Sequence, residues 1–201
     1  MTRVGIVYHG GYGHTGRLAQ AVARGASSVP GTQVALVPVE EVAQSWEVLD
    51  ESDAIVFGSP TYMGGPSAAF KAFADSTSKR CFDQRWKDKL AAGFTNSGGP
   101  SGDKLATLQQ LSILAAHHGM IWISLGLLPG SPSPNGTGES MNRLSSFLGA
   151  MSQSPPAAST ELAPSPADLE TGELLGVRVA LAAQRWVHGA KSSPVTATVG
   201  S

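Results

Sequence analysis

With 201 residues, 41% of them hydrophobic, the chain is long enough for one full core and short for two, so a single domain is expected. Fourteen basic side chains against fifteen acidic ones leave a formal net charge of -1, and no basic run occurs. That balance excludes the electrostatic footprint of a nucleic-acid or anionic-membrane binder and points to a small-molecule partner or another copy of the chain.

Arg3–Tyr8 is a short apolar run that reads as a strand. Leu18, Ala21, Val22, Ala26 and Val29 then recur at helical spacing over Thr15–Val29, until Pro30-Gly31 ends the segment. Gln33–Val39 is a second strand, which makes the opening a βαβ unit. A short helical stretch through Val42, Trp46 and Leu49 leads to Asp53–Gly58, an unalternating apolar run typical of a strand buried on both faces. Pro66 suits the first turn of a helix over Ser67–Thr77, with Phe70, Phe73 and Ala74 as its core face. Leu90–Thr95 is a fourth strand, Asp103–His118 a helix and Met120–Leu127 a fifth strand. Leu111–Leu128 is apolar enough to suggest a membrane span, but His117, His118 and Gly119 interrupt it, so it reads as helix, turn and buried strand.

From Leu128 to Pro166 the character changes: seven of the thirteen prolines fall here. Such a long irregular segment is expected to serve the active site or to stay unstructured, with Met141–Met151 as a docking helical turn inside it. Ala167–Val187 is a final amphipathic helix. The domain is expected over residues 1–191, with a flexible tail over 192–201. Strands alternating with helices predict an α/β doubly wound domain, its five parallel strands in the order 2-1-3-4-5 with helices on both faces.

The lone cysteine, Cys81, cannot form an internal disulfide and reads as an ordinary thiol. Met1-Thr2-Arg3 runs straight into a strand, with no signal-peptide pattern, so a cytoplasmic location is expected. Asn135-Gly136-Thr137 matches a glycosylation acceptor, but without a secretory signal it reads as a chance match.

Three glycine- and hydroxyl-rich loops follow the first, third and fourth strands. They are Gly10-Gly11-Tyr12-Gly13-His14-Thr15, Pro60-Thr61-Tyr62-Met63-Gly64 and Asn96-Ser97-Gly98-Gly99-Pro100-Ser101. In an open parallel sheet ligands bind beyond the carboxyl ends of the strands, so three such loops on one rim make a pocket. Gly11 to Gly16 also satisfies G-x-G-x-x-G, but His9 and Gly10 intervene after the strand, and Glu40 and Glu41 come late for a ribose-binding acid. A neutral phosphate cradle fits better: backbone N–H groups converge, the Thr15 hydroxyl donates, and the following helix presents its positive end. The second loop offers a phenol and a thioether for a flat heteroaromatic ring, and the third offers amides for its edge. Phosphate at one end and a planar ring at the other describe FMN; no metal is expected.

Tyr12-Gly13-His14, Gly58-Ser59-Pro60-Thr61 with Gly64, Phe73-Ala74-Asp75, Lys89-Leu90-Ala91 and Ala116-His117-His118-Gly119-Met120 together resemble one family. It is that of the flavodoxin-like FMN oxidoreductases, most specifically the WrbA-type NAD(P)H:quinone oxidoreductases. The likeness runs over residues 3 to 127. It implies a flavodoxin-like fold in which Gly10 to Thr15 hold the FMN phosphate and ribityl side. It also implies that Thr61, Tyr62 and Met63 face the isoalloxazine, and that Asn96 to Ser101 close over its pyrimidine edge. His117 matches the family's histidine near the flavin. Tyr12 and His117 are then the expected side chains against the exchanging substrates, NAD(P)H as co-substrate and a quinone-like acceptor, in a ping-pong cycle. A homodimer or homotetramer is expected, since shallow sites of this type are completed by a neighbouring subunit. The chain departs from the family in its short Val39–Ser52 connection and in the absence of an aromatic residue at Cys81; Trp86 is a candidate displaced wall, or filler between helix and strand. The rival readings are an electron-transfer flavodoxin without a nicotinamide site, which is usually strongly acidic around its flavin, and a flavin reductase.

Overall fold

The computed structural model describes residues 1–130 and 140–192; Asn135-Gly136-Thr137 and the tail from residue 193 lie outside them. The first strand, β1 (Thr2–Tyr8), is followed by α1 (His14–Ser27) and β2 (Thr32–Pro38). A 3-10 turn (Val39–Gln44), α2 (Trp46–Asp50) and β3 (Ala54–Tyr62) come next, and a two-residue strand, β4 (Gly65–Pro66), folds back on β3. Helices α3 (Ala68–Ser76) and α4 (Ser78–Phe82) precede β5 (Leu90–Ser97) and α5 (Lys104–His117). Two short strands, β6 (Ile121–Trp122) and β7 (Ala150–Gln153), and the long α6 (Pro166–Ser192) complete the chain.

The parallel order is β2-β1-β3-β5-β6, with Val4–Tyr8 in register with Ala54–Gly58 and Ala54–Pro60 with Leu90–Asn96. This corrects the expected five-stranded sheet in the order 2-1-3-4-5: the described sheet has seven strands. Two features cause the difference. The second loop closes on itself as an antiparallel pair, Thr61 with Pro66 and Tyr62 with Gly65. The outer edge is also shared, because the run expected at Met120–Leu127 pairs with β5 only at Leu90 and Ala91. The chain leaves the sheet after Trp122 and returns as β7, which occupies the rest of the edge opposite Phe94–Ser97. Within the Met141–Met151 stretch, expected as a docking helical turn, residues 141–144 form a turn and the last residues form β7.

Two apolar layers hold the sheet, as unalternating strands require. On one face Val4, Ile6, Val56 and Phe94 pack with Leu18 and Val22 of α1 and Leu175 and Val179 of α6. On the other Val7, Phe57 and Ala91 pack with Phe70 and Phe73 of α3, Leu108 and Leu111 of α5, and Trp86. Trp86 is core filler: it is fully buried against Phe57 and His118, and its indole N–H donates to Asp50 at 2.8 Å. No helix among the described residues is long and apolar enough to cross a membrane.

Candidate active site

The parallel register brings the carboxyl ends of β1, β3 and β5 side by side, and the three loops open into one cleft of about 210 Å³. Gly10, Tyr12, His14 and Thr15 line it from the first loop, Pro60, Thr61 and Tyr62 from the second, and Asn96, Ser97 and Gly98 from the third. Ser154 and Pro156, just beyond β7, complete the wall. Among the described residues no group of three His, Cys, Asp or Glu side chains is placed to hold a metal.

The first loop delivers the amino terminus of α1 to the cleft. Gly13 caps that helix with φ 99°, and a side chain there would collide with the Thr160 methyl, 2.8 Å away. No side chain caps the helix and its first turn carries no acid. The first turn's own bonding begins with Arg17 N–H to Gly13 carbonyl at 3.0 Å, which leaves the amides of His14, Thr15 and Gly16 without a protein acceptor. The Thr15 hydroxyl likewise has no partner among the described residues, although Thr15 is buried. Unmet donors at a positive helix end suit an anion. His14 does not add a free donor on its Nδ1 side, which meets the Ala163 carbonyl at 3.0 Å. Arg17 bonds the Thr160 carbonyl, so residues 160–163 are strapped across the outer side of this loop.

In the second loop the Thr61 hydroxyl points into the core, bonded to those of Thr95 at 2.8 Å and Thr107 at 2.7 Å. Tyr62 packs edge-on against Tyr12, with ring centroids 6.3 Å apart. Burial raises the Tyr62 phenol above its ordinary pKa, and Tyr12 adds to the effect while a hydrogen bond from the Tyr12 amide opposes it. Tyr12 is 85% exposed at the mouth, whereas Met63 projects into solvent and Gly64 has open space around it. Gly11, Gly13, Met63 and Gly64 therefore shape the rim without lining the cleft.

The third loop is built from inside. Asn96 is only 6% exposed, and its Oδ1 accepts from Ser152 at 2.8 Å and Ser154 at 3.0 Å, leaving its Nδ2 donor without a protein partner at the cleft. Gly102 closes the turn at φ 55°, where an added Cβ would lie 2.2 Å from the Ser97 hydroxyl. The ammonium of Lys104, fully buried, donates to the Ser97 hydroxyl at 2.9 Å and to the carbonyls of Gly99 and Pro100 at 2.6 and 3.0 Å. Gly99, Pro100 and Ser101 stand around this ammonium rather than in the cleft; Pro100 and Ser101 border a separate groove beside α5.

His117 is not brought to the cleft of its own chain. It ends α5, whose 14 residues begin under the third loop at Lys104, and at 1.5 Å per residue that helix places it about 21 Å away. There its carbonyl accepts from the Cys81 thiol at 3.1 Å, and it lines a groove of about 490 Å³ between α3, α4 and α5. His117, expected near the flavin, therefore lies outside the lining of its own chain's cleft. Sequence reading also missed Ser154, Pro156 and Lys104. A lysine in the first turn of a helix opposes the helix dipole, and that misfit was the available signal for Lys104.

The donor set fits FMN: an uncapped helix end with a spare hydroxyl for the phosphate, a free Asn96 amide across the cleft for a heterocycle's acceptors, and an aromatic pair at the mouth. Comparison with known proteins agrees. Residues 30–130 match the NADPH-dependent FMN reductase family. The chain is 42% identical to flavodoxin FldP of Pseudomonas aeruginosa over 92% of its own length and 98% of that protein. It is 34% identical to an NAD(P)H dehydrogenase (quinone) of Archaeoglobus fulgidus over 92% and 99%. The crystal structure of a flavodoxin, WrbA-like protein from Agrobacterium tumefaciens superposes with a TM-score of 0.72 at 41% identity, covering 92% of this chain and 99% of that one. The chain belongs to the NADPH-dependent FMN reductase family, as a flavodoxin-like flavoenzyme of the WrbA type whose cofactor is FMN and whose co-substrate is NAD(P)H.

Proposed function

We propose that the chain holds FMN in the three-loop cleft and transfers hydride from NAD(P)H to a quinone-like acceptor by a ping-pong mechanism, in the cytoplasm. Bound there, FMN supplies the two-electron chemistry that no side chain of the cleft can perform. The amides of His14, Thr15 and Gly16 and the Thr15 hydroxyl hold the phosphate at the end of α1. The Asn96 Nδ2 donates to the pyrimidine edge, oriented by the two serine hydroxyls that occupy its oxygen. Tyr12 offers its ring to the substrate at the mouth.

The observation that carries this reading is the meeting, in one cleft, of an uncapped acid-free helix end with an unpaired amide donor beneath an exposed tyrosine. At about 210 Å³ the cleft is smaller than the ~300–1,000 Å³ of an ordinary ligand site, so a planar ring bound in it keeps an open face. One open face serves donor and acceptor in turn, which is what a ping-pong cycle requires. It also invites a neighbouring subunit, as a homodimer or homotetramer, and only from such a neighbour does His117 enter the site.

The test is the absorbance spectrum of the purified protein with FMN, followed by steady-state NAD(P)H oxidation with a quinone. Two flavin bands and parallel double-reciprocal plots are expected. Flavin binding without nicotinamide oxidation supports the electron-carrier reading instead, which the 42% identity to a flavodoxin keeps in view. The near-neutral charge of -1 weighs against it.

A further inference from the structure

Every carbonyl of the third loop from Ser97 to Ser101 accepts a hydrogen bond. Those of Ser97 and Ser101 accept from the amides of Ser154 and Lys104 at 3.0 and 3.2 Å. That of Gly98 accepts from the Gln153 side chain at 3.1 Å, and those of Gly99 and Pro100 from the Lys104 ammonium. The amides of Gly98, Gly99, Ser101 and Gly102 are left with no acceptor among the described residues. Gly98, at the cleft, and Gly99 present two successive free N–H groups, an arrangement that forms a concavity for negative charge.

The charge beneath the loop is not cancelled. From the 141–148 segment, Arg143 grips Asp168 of α6 with two hydrogen bonds of 2.8 and 2.7 Å, so that pair is neutral as a unit. Asp103, the residue just before α5, makes no ion pair with it, and β5 presents only the Ser97 hydroxyl. Lys104 is the surplus cation.

We infer that Lys104 is a positioning residue for the cofactor, holding the third loop so that the Gly98 amide faces the pyrimidine edge and leaving one buried positive charge under the loop, so that it favours the reduced ring over the oxidised one. The inference rests on the proposed FMN site. Hydride from reduced nicotinamide brings two electrons and one proton; the nicotinamide leaves oxidised and positive, and the ring is left with one negative charge. A buried cation attracts that charge through protein rather than water. Burial lowers the Lys104 ammonium to a pKa of about 8, with Asp168 opposing the shift and Arg143 adding to it. The attraction is therefore strongest below about pH 8 and fades above it.

The experiment measures the midpoint potential of FMN-reconstituted protein by dye-equilibrated reduction from pH 6 to 9.5, with FMN titrations of the wild type, Lys104→Met and Lys104→Arg. The wild-type potential should fall more steeply with pH around 8 than below it. Lys104→Met should lose that inflection and bind reduced FMN about tenfold less tightly relative to oxidised FMN, which lowers a two-electron potential by about 30 mV. Lys104→Arg should keep the wild-type potential at pH 7. A wild-type profile without the inflection overturns the inference, and needs no variant to fold; so does an unchanged potential in folded Lys104→Met. Failure of the wild type to bind FMN at all overturns the flavin site itself, and is seen in the titration before any potential is read.

Discussion

The first and third loops stand at strand ends of the same sheet, on either side of β3, yet they are built on opposite plans. The first is hollow: no charged side chain lies inside it, and its donors are the unpaired amides of a helix end and one hydroxyl. The third is filled by an ammonium that consumes its carbonyls. The difference teaches how a neutral protein can treat two parts of one ligand differently. A phosphate is charged before and after reaction, so a helix end of constant partial charge suffices. The ring changes charge during the reaction, and a full buried charge acts on that change.

The sharpest way to break the comparison is to remove what supports the filled loop. Asp168 is buried, and its carboxylate takes two bonds from Arg143 and one from the Gln153 amide at 2.9 Å. Asp168→Ala strands the guanidinium and should cost about 3–5 kcal/mol of stability in urea unfolding. A loss below about 1 kcal/mol would show that the network beneath the third loop bears no weight.

Next in size is an acid limit far from both loops. His118 is 3% exposed, stacks on Trp86, bonds Thr77 at 2.8 Å and leaves its Nδ1 unpaired. Burial, assisted by His117, lowers its pKa from 6.5 to about 4. Below pH 6.5 the unfolded chain binds the proton more readily than the fold does. Stability should decline from pH 6.5 to about 4, by about 3 kcal/mol in total, and level off below. His118→Gln should flatten that stretch of a melting-temperature profile; an unaltered slope assigns the acid limit to other groups.

The hollow loop predicts a smaller effect, confined to ligand binding. Thr15→Val should weaken FMN by about 1–3 kcal/mol, since a phosphate oxygen loses a donor, while the apoprotein keeps its melting temperature. Titration of apoprotein with FMN measures it, and an equal dissociation constant moves the phosphate elsewhere. Smallest is His117→Ala: FMN affinity should be unchanged, and kcat/KM for a quinone about tenfold lower, roughly 1.4 kcal/mol. Ferricyanide, which needs no proton at the site, should be reduced at the wild-type rate. Equal rates with both acceptors leave His117 a packing residue of the α5 end.

The sequence made the first loop legible because its chemistry is local. Glycines, Thr15 and the start of a helix lie within seven residues, and hydrophobic periodicity alone placed them after a strand. The two-layer core was legible for the same reason, with Phe70 and Phe73 on the expected face of α3. The split outer strand was not. Met120–Leu127 is apolar enough for a full strand, but the choice between it and Ala150–Gln153 as partner for Phe94–Ser97 is made by long-range packing.

What the sequence by itself determined was therefore the α/β alternation, the rim of three loops and the helix end that faces a phosphate, all set by backbone preference and short-range spacing. Only the tertiary structure decided that Ser154 and Pro156 join the cleft, that His117 leaves it, and that Lys104 turns inward. The first of those outcomes depends on which distant segment closes over a loop, and the last on how the loop itself bends. A lysine is soluble on almost any helix, and nothing in its immediate neighbours says that three acceptors will surround it; the fold supplies them by bending residues 97–102 back over α5.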